Sequence, residues 1–215
     1  EFSIKHPNAF YLRGKVKNWD GMVHFINKGA QFKIGLLPLV VAKCKEFGYK
    51  VKVIDTRPKL ELPKKPVTKI AQFDLREEQI QAVSSILYNK VENIPFHIGV
   101  IDYTVNAGKT AVMVALYSSF KRKLKTLLIT NDSDWLNQAK REFKDYLPDE
   151  QVTFVQGSKV DNWSNFSIGM IQSLSRNVKK YQRELTKIDM VLLDEADLAG
   201  SKSYQTVLTH LYNTR

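Results

Sequence analysis

Gly108, Lys109 and Thr110 stand between the apolar run 98–101 and a second apolar run, 111–116. Backbone N–H groups between a strand and a helix can surround a phosphate, and the helix dipole favours the negative charge. In such a loop Gly108 permits close backbone approach. Lys109 supplies a point charge to the β and γ phosphates, and Thr110 offers a hydroxyl to magnesium. Asn106 and Ala107 complete the turn, and asparagine tolerates the left-handed conformation better than most residues. The strict G-x-x-x-x-G-K-T spacing is not met, because Tyr103 replaces its first glycine. A bare Gly-Lys-Thr is more often a simple turn before a helix; the flanking apolar runs favour the phosphate loop.

The second constellation is Asp194, Glu195, Ala196 and Asp197, directly after the apolar residues 191–193. Asp194 at a strand end can hold magnesium through water, and Glu195 can polarise the water that attacks the γ phosphate. A solvated acidic turn is the alternative, and the preceding apolar run weakens it. Taken together, the two motifs predict a nucleoside-triphosphatase site using a nucleoside triphosphate and Mg2+, with Lys109, Asp194 and Glu195 as the catalytic residues. Such sites lie at the carboxyl ends of parallel strands.

The elements that must position these residues are legible as alternating patterns. Strands are expected near 97–102, 125–130, 152–156, 167–171 and 188–193, with helices at 77–88 and near 109–120, 133–146 and 172–184. Strand–helix alternation with nearly continuous apolar strands predicts an α/β fold, a parallel sheet covered on both faces. Ahead of it, 22–26 and 31–34 read as a hairpin, 36–47 as a helix stopped by Gly48, and 49–54 as another strand. Pro58, Pro63 and Pro66 interrupt both periodicities, so 58–72 is expected to be an extended linker. The expected division is therefore a small α+β domain at 1–57, the linker, and a nucleotide-binding domain at 73–215.

Charge divides at the same place. The net charge is +11, of which residues 1–72 carry +10 and 73–215 carry +1. A basic module joined to a neutral nucleotide-binding one suggests a polyanionic partner such as nucleic acid; a solvated basic face is the alternative. Cys44 is the sole cysteine, which excludes internal disulfides and cysteine-rich zinc sites, and four scattered histidines show no ligand spacing. No apolar run approaches the roughly 18 residues that span a membrane. These features suggest a cytoplasmic protein. The start at Glu1, without methionine, suggests a piece of a longer chain.

The order of motifs resembles the first RecA-like motor domain of a superfamily 2 helicase or translocase. The stretch 75–79, Leu-Arg-Glu-Glu-Gln, is similar to that family's glutamine motif. The match implies that Gln79 reads the adenine edge, with Arg76 beside it in the nucleotide site. Residues 128–138 resemble the V-P-T-x-x-L-x-x-Q motif, with Asn131 and Asp132 replacing proline and threonine. Residues 168–174 resemble A-T-x-Q-S-L, with Met170 replacing threonine, which makes Gln172 and Ser173 candidate phosphate contacts. Trp135 could stack on a base, although a tryptophan on a sheet-packing helix is usually core.

The tetrapeptide Asp-Glu-Ala-Asp invites an RNA-helicase reading, but the P-T-R-E-L and T-P-G-R motifs of that family are absent. Residues 198–203 instead look like phage helicases of UvsW type and XPB-type repair helicases, in which Asp197 occupies the place of a histidine expected to couple hydrolysis to motion. The segments 18–23, with W-D-G, and 34–38, with G-L-L-P, resemble signatures of the small domain preceding the phage motors. That resemblance implies DNA engagement there, and Arg13, Lys15, Lys17, Lys28 and Lys33 are the candidate contacts. It also implies a second RecA-like domain C-terminal to this one, carrying the arginines that stabilise the transferring phosphoryl group.

The expected function is thus an ATP-dependent DNA helicase or branch-migration translocase acting on duplex or branched DNA in phage recombination, repair or replication. The alternatives are a duplex translocase of restriction or chromatin type that does not separate strands, and a nucleic-acid-binding module with a degenerate nucleotide site.

Overall fold

The structure is a computed structural model describing residues 3–5, 22–27, 29–57, 60–103, 108–157, 160 and 162–211. The chain divides into two compact units, Glu1–Asp55 with Val91–Ile94, and Thr56–Lys90 with Pro95–Arg215.

In the first unit, β1 (Ser3–Lys5) pairs antiparallel with β2 (Met22–His24). The expected return strand at 31–34 is reduced to one bridge, Ile26 to Phe32. Asn27 consumes the local donors instead: its Oδ1 accepts from the N–H groups of Gly29 and Gln31. A 3-10 turn, Ile34–Leu36, leads into α1 (Leu37–Glu46), with Pro38 in its first turn. Gly48, at φ 79°, ends it as expected. Residues 49–54 form no strand.

In the second unit, β3 (Lys69–Ile70) and β4 (Phe73–Asp74) make a short hairpin before α2 (Glu77–Leu87). The proline-rich stretch does not stand off this unit. Val67 N–H donates to Ser119 Oγ at 3.2 Å, and Ile70 is 3% exposed. A tight turn at Glu92 and Asn93 joins β5 (Lys90–Val91) to β6 (Ile94–Pro95). The phosphate-loop helix is α3 (Lys109–Ser119), followed by β7 (Thr126–Thr130) and α4 (Ser133–Tyr146). Then come β8 (Val152–Val155), β9 (Phe166–Met170), α5 (Ile171–Arg176), α6 (Val178–Leu185), β10 (Met190–Leu193), the 3-10 turn Ala196–Gly200 and α7 (Lys202–Leu208).

The four strands β10-β7-β9-β8 form one parallel sheet. Every residue of β7 and β9 is buried, which is why these central strands lack alternation. Leu128 and Ile168 face a core built with α3 and α4. Leu127 and Ile129 face the other core, with Leu174 of α5, Tyr181 of α6 and Tyr204 of α7. The fold is therefore α/β, with helices on both sheet faces.

Two further expectations need correction. The helix expected over 172–184 is two helices, broken at Asn177 (φ −114°, ψ 22°), whose Nδ2 donates to Ser173 O at 2.9 Å. The side-chain bond competes with the helix for that carbonyl. No strand forms over 97–102 either. The His97 ring is tied through Nδ1 to Ile86 O at 3.0 Å, and Gly99 offers no side chain to pack. A cavity of about 100 Å3, lined in part by His97, Gly99, Met190, Val191 and Leu192, occupies the place of a ladder on β10.

Candidate nucleotide site

Two neighbouring parallel strands carry the acidic half of the site. Asp194 follows β10, and its N–H donates to Ile129 O of β7 at 3.0 Å. Thr130, wholly buried at the end of β7, donates through Oγ1 to Asp194 Oδ2 at 3.4 Å. Burial raises the Asp194 pKa above the ordinary aspartate value. The charge of Glu195 adds to the rise, while Lys109 and the Thr130 hydrogen bond oppose it. That Lys109 acts on Asp194 means the phosphate-loop lysine and the acidic motif share one electrostatic environment.

The basic half is the start of α3. Gly108 caps the helix at φ 82°, ψ 40°, a left-handed conformation that disfavours any Cβ. An added Cβ would also displace the Gln79 amide. Lys109 is exposed, free to meet an anion, whereas Thr110 is 9% exposed. Behind them α3 is buried on nearly every side, from Ala111 to Tyr117 with only Met113 partly exposed. The helix is therefore fixed by core packing rather than by an amphipathic face. Asn106 and Ala107 lie outside the described residues.

Gln79 is brought to this loop. It is 5% exposed, its Oε1 accepts from Arg76 N–H at 2.9 Å, and its Nε2 reaches Gly108 O at 3.5 Å. The guanidinium of Arg76 pairs with Glu78 at 3.2 Å. Tyr103, replacing the expected first glycine, donates through its hydroxyl to Glu78 O at 2.7 Å. It therefore ties the entry of the phosphate loop to the helix that bears Gln79.

The remaining candidates lie elsewhere around the sheet. Gln172 follows β9, and its Nε2 donates to Asn131 O at 3.4 Å; Ser173 Oγ accepts from Gly157 N–H at 2.8 Å. Both thus sit at the carboxyl end of the sheet, Ser173 just beyond β8 and Gln172 beside the start of α4. There Asp132 caps α4, accepting from Asp134 N–H at 2.7 Å and Trp135 N–H at 3.1 Å. This explains an aspartate in the motif's usual threonine position. Trp135 packs against the core. Asp197 is exposed in the turn after the acidic motif. Lys33 belongs to the other unit, preceding its 3-10 turn, and Arg13, Lys15, Lys17 and Lys28 lie outside the described residues.

Sequence reasoning missed Thr130, which carried one signal, a polar residue ending an apolar strand.

Among the described residues, no three His, Cys, Asp or Glu side chains group to hold a metal, and no helix is long and apolar enough to cross a membrane. A family model described as type III restriction enzyme, res subunit, matches residues 72–215. Among solved structures, the crystal structure of the UvsW helicase from bacteriophage T4 matches with a TM-score of 0.73 and 21% identity. The match covers 99% of this chain and 79% of that one. A second crystal structure of T4 UvsW matches with a TM-score of 0.73 and 20% identity, over 99% of this chain and 45% of that one. At these identities the likeness is one of fold, the RecA-like α/β fold of a helicase. No curated protein sequence matches the chain.

Proposed function

Because the chain belongs to the type III restriction enzyme res subunit family, a family of helicase-type motors, we propose that it is the ATP-binding part of a DNA helicase or branch-migration translocase. The observation that carries this reading is the place of Asp194, bonded to Thr130 at the carboxyl edge of a parallel sheet that also bears Gln172 and Ser173, with the charge of Lys109 acting on it.

The residues fit a magnesium nucleotide. The glycine at 108 leaves room where a Cβ would displace the Gln79 amide, and Lys109 is exposed for the phosphates. Thr110 and Asp194 would hold magnesium together with phosphate and water oxygens, a ligand set typical of that ion. When bound, magnesium would neutralise charge developing on the phosphates. Glu195 would orient the attacking water, and Gln79 and Arg76 would meet the base. Reading adenine requires Gln79 to release Gly108 O, which would couple base recognition to the phosphate loop. Asp197 would relay hydrolysis to motion.

DNA is the proposed partner. Support comes from the concentration of positive charge in residues 1–72 and from the UvsW likeness. Arg13, Lys15, Lys17, Lys28 and Lys33 would meet phosphates, as would Gln172 and Ser173. A second RecA-like domain, C-terminal in the full-length protein, would close on the nucleotide. The setting would be phage recombination, repair or replication in the host cytoplasm. The family description favours a second reading, a restriction-type translocase that moves on duplex DNA without separating strands.

In the full-length protein, Lys109→Ala should abolish DNA-stimulated ATP hydrolysis and unwinding while leaving DNA binding largely intact. Unwinding by that variant would overturn the assignment. Strand-separation and triplex-displacement assays, run side by side, decide between the two readings.

A further inference from the structure

Tyr204 lies in α7 at 2% exposure, in the same core cluster as Ile129, Leu193 and Leu198. Its hydroxyl is fully buried, and among the described residues no group donates to it or accepts from it. A buried hydroxyl left unpaired keeps the desolvation penalty and gains nothing in return. Phenylalanine would fill the space equally well, so the oxygen calls for a reason.

Its surroundings supply one. Helix α7 packs against the turn Ala196–Gly200 that continues the acidic motif, and Gln205 Nε2 donates to Ala199 O at 2.7 Å. The turn and the helix are therefore clamped together. Burial raises the Tyr204 pKa above the ordinary tyrosine value, and the charges of Glu195, Asp194 and Asp197 add to it in that order. Of these carboxylates, Asp194 already accepts from Thr130. Glu195 is exposed, and its carboxylate makes no hydrogen bond or ion pair among the described residues. A buried donor without an acceptor thus lies in the cluster that includes Leu193 and Leu198, the residues on either side of the acidic motif.

We propose that Tyr204 is a positioning residue for the acidic motif, its hydroxyl donating to the Glu195 carboxylate once nucleotide is bound. The bond holds the carboxylate in one rotamer, aimed at the attacking water, and the nucleotide-free state carries the unpaired oxygen as a cost. This inference rests on the nucleotide reading above.

The test is Tyr204→Phe in the full-length protein, with DNA-stimulated ATP hydrolysis and thermal melting measured together. A misaligned catalytic group costs on the order of tenfold or more. The expectation is a kcat about tenfold lower and an unchanged KM for ATP. The nucleotide-free melting temperature should be equal or higher, since the lost oxygen made no bond. In a Glu195→Gln background the same substitution should add little to the loss, as for residues that act as a unit. A kcat equal to the parent's, or a fall in kcat matched by a fall in melting temperature, would overturn the role given to Tyr204. A parent protein that neither binds nor hydrolyses ATP would overturn the nucleotide reading and this inference with it.

Discussion

Thr130 holds two parts of the site with one hydroxyl. Its Oγ1 donates to Asp194 Oδ2 at 3.4 Å and accepts from Asp132 N–H at 3.1 Å. The acidic motif after β10 and the entry to α4 are thereby joined through the end of β7. Asp132 in turn caps α4, so the chain of bonds runs from Asp194 to the helix that begins beside Gln172.

Thr130→Val keeps the shape and removes the hydroxyl. It leaves the Asp132 N–H without its partner, which should cost about 1–3 kcal/mol. Thr130→Ser should retain most of the stability. Urea denaturation of the two variants measures the difference, and a valine variant as stable as the parent would refute the bridging role.

Gly108→Ala must hold φ 82° with a Cβ that meets the Gln79 amide. The backbone strain alone should cost about 1 kcal/mol or more. Displacing Gln79 should also weaken nucleotide binding. Melting temperature and titration with a fluorescent ATP analogue report the two effects separately, and parental values in both would contradict the packing described.

The Asp194 carboxyl has a pKa raised first by burial and then by Glu195. The folded state therefore holds that proton more tightly than the unfolded chain does. Stability from this group is greatest below the ordinary aspartate value and falls as pH rises through the raised one. Asp194→Asn should remove the fall, making the nucleotide-free protein more stable than the parent at neutral pH, with the advantage shrinking in acid. Melting curves from acid to neutral pH test this; a less stable variant at neutral pH would reverse the sign.

Glu184 behaves oppositely. Burial raises its pKa, but hydrogen bonds and charges from Lys125 and Lys187 outweigh that and lower it below the ordinary glutamate value. Both lysine contacts are 2.6 Å, and the Glu184 side chain is 14% exposed. Its stabilisation is present above the ordinary value and is lost as pH falls through the depressed one. Glu184→Gln should lower the melting temperature at neutral pH, and the gap should close in acid. A gap that persists unchanged in acid would point to packing rather than charge.

The helix Ser133–Tyr146 was legible to the residue, because Asp132 is a strong cap and the apolar spacing that follows is helical. The phosphate-loop helix and strands β7 to β10 were legible because their patterns are local. The break at Asn177 was not, since it depends on a side chain competing for the Ser173 carbonyl. The missing strand at 97–102 was not legible either, because an apolar run records only the capacity to be buried. Whether it zips onto β10 depends on what fills the space between them.

By itself the sequence supplied the chemistry proposed for the site, because a lysine, a hydroxyl and paired carboxylates at fixed motif spacing allow few reactions. It also determined that a parallel α/β sheet would display them. Only the tertiary structure decided the strand order, and with it the neighbours Thr130 and Asp194, because pairing between β7 and β10 joins segments separated by three helices and two strands. It also decided that the Tyr204 oxygen would be buried and unpaired, since burial depends on surfaces contributed by α7, β7 and the acidic turn together.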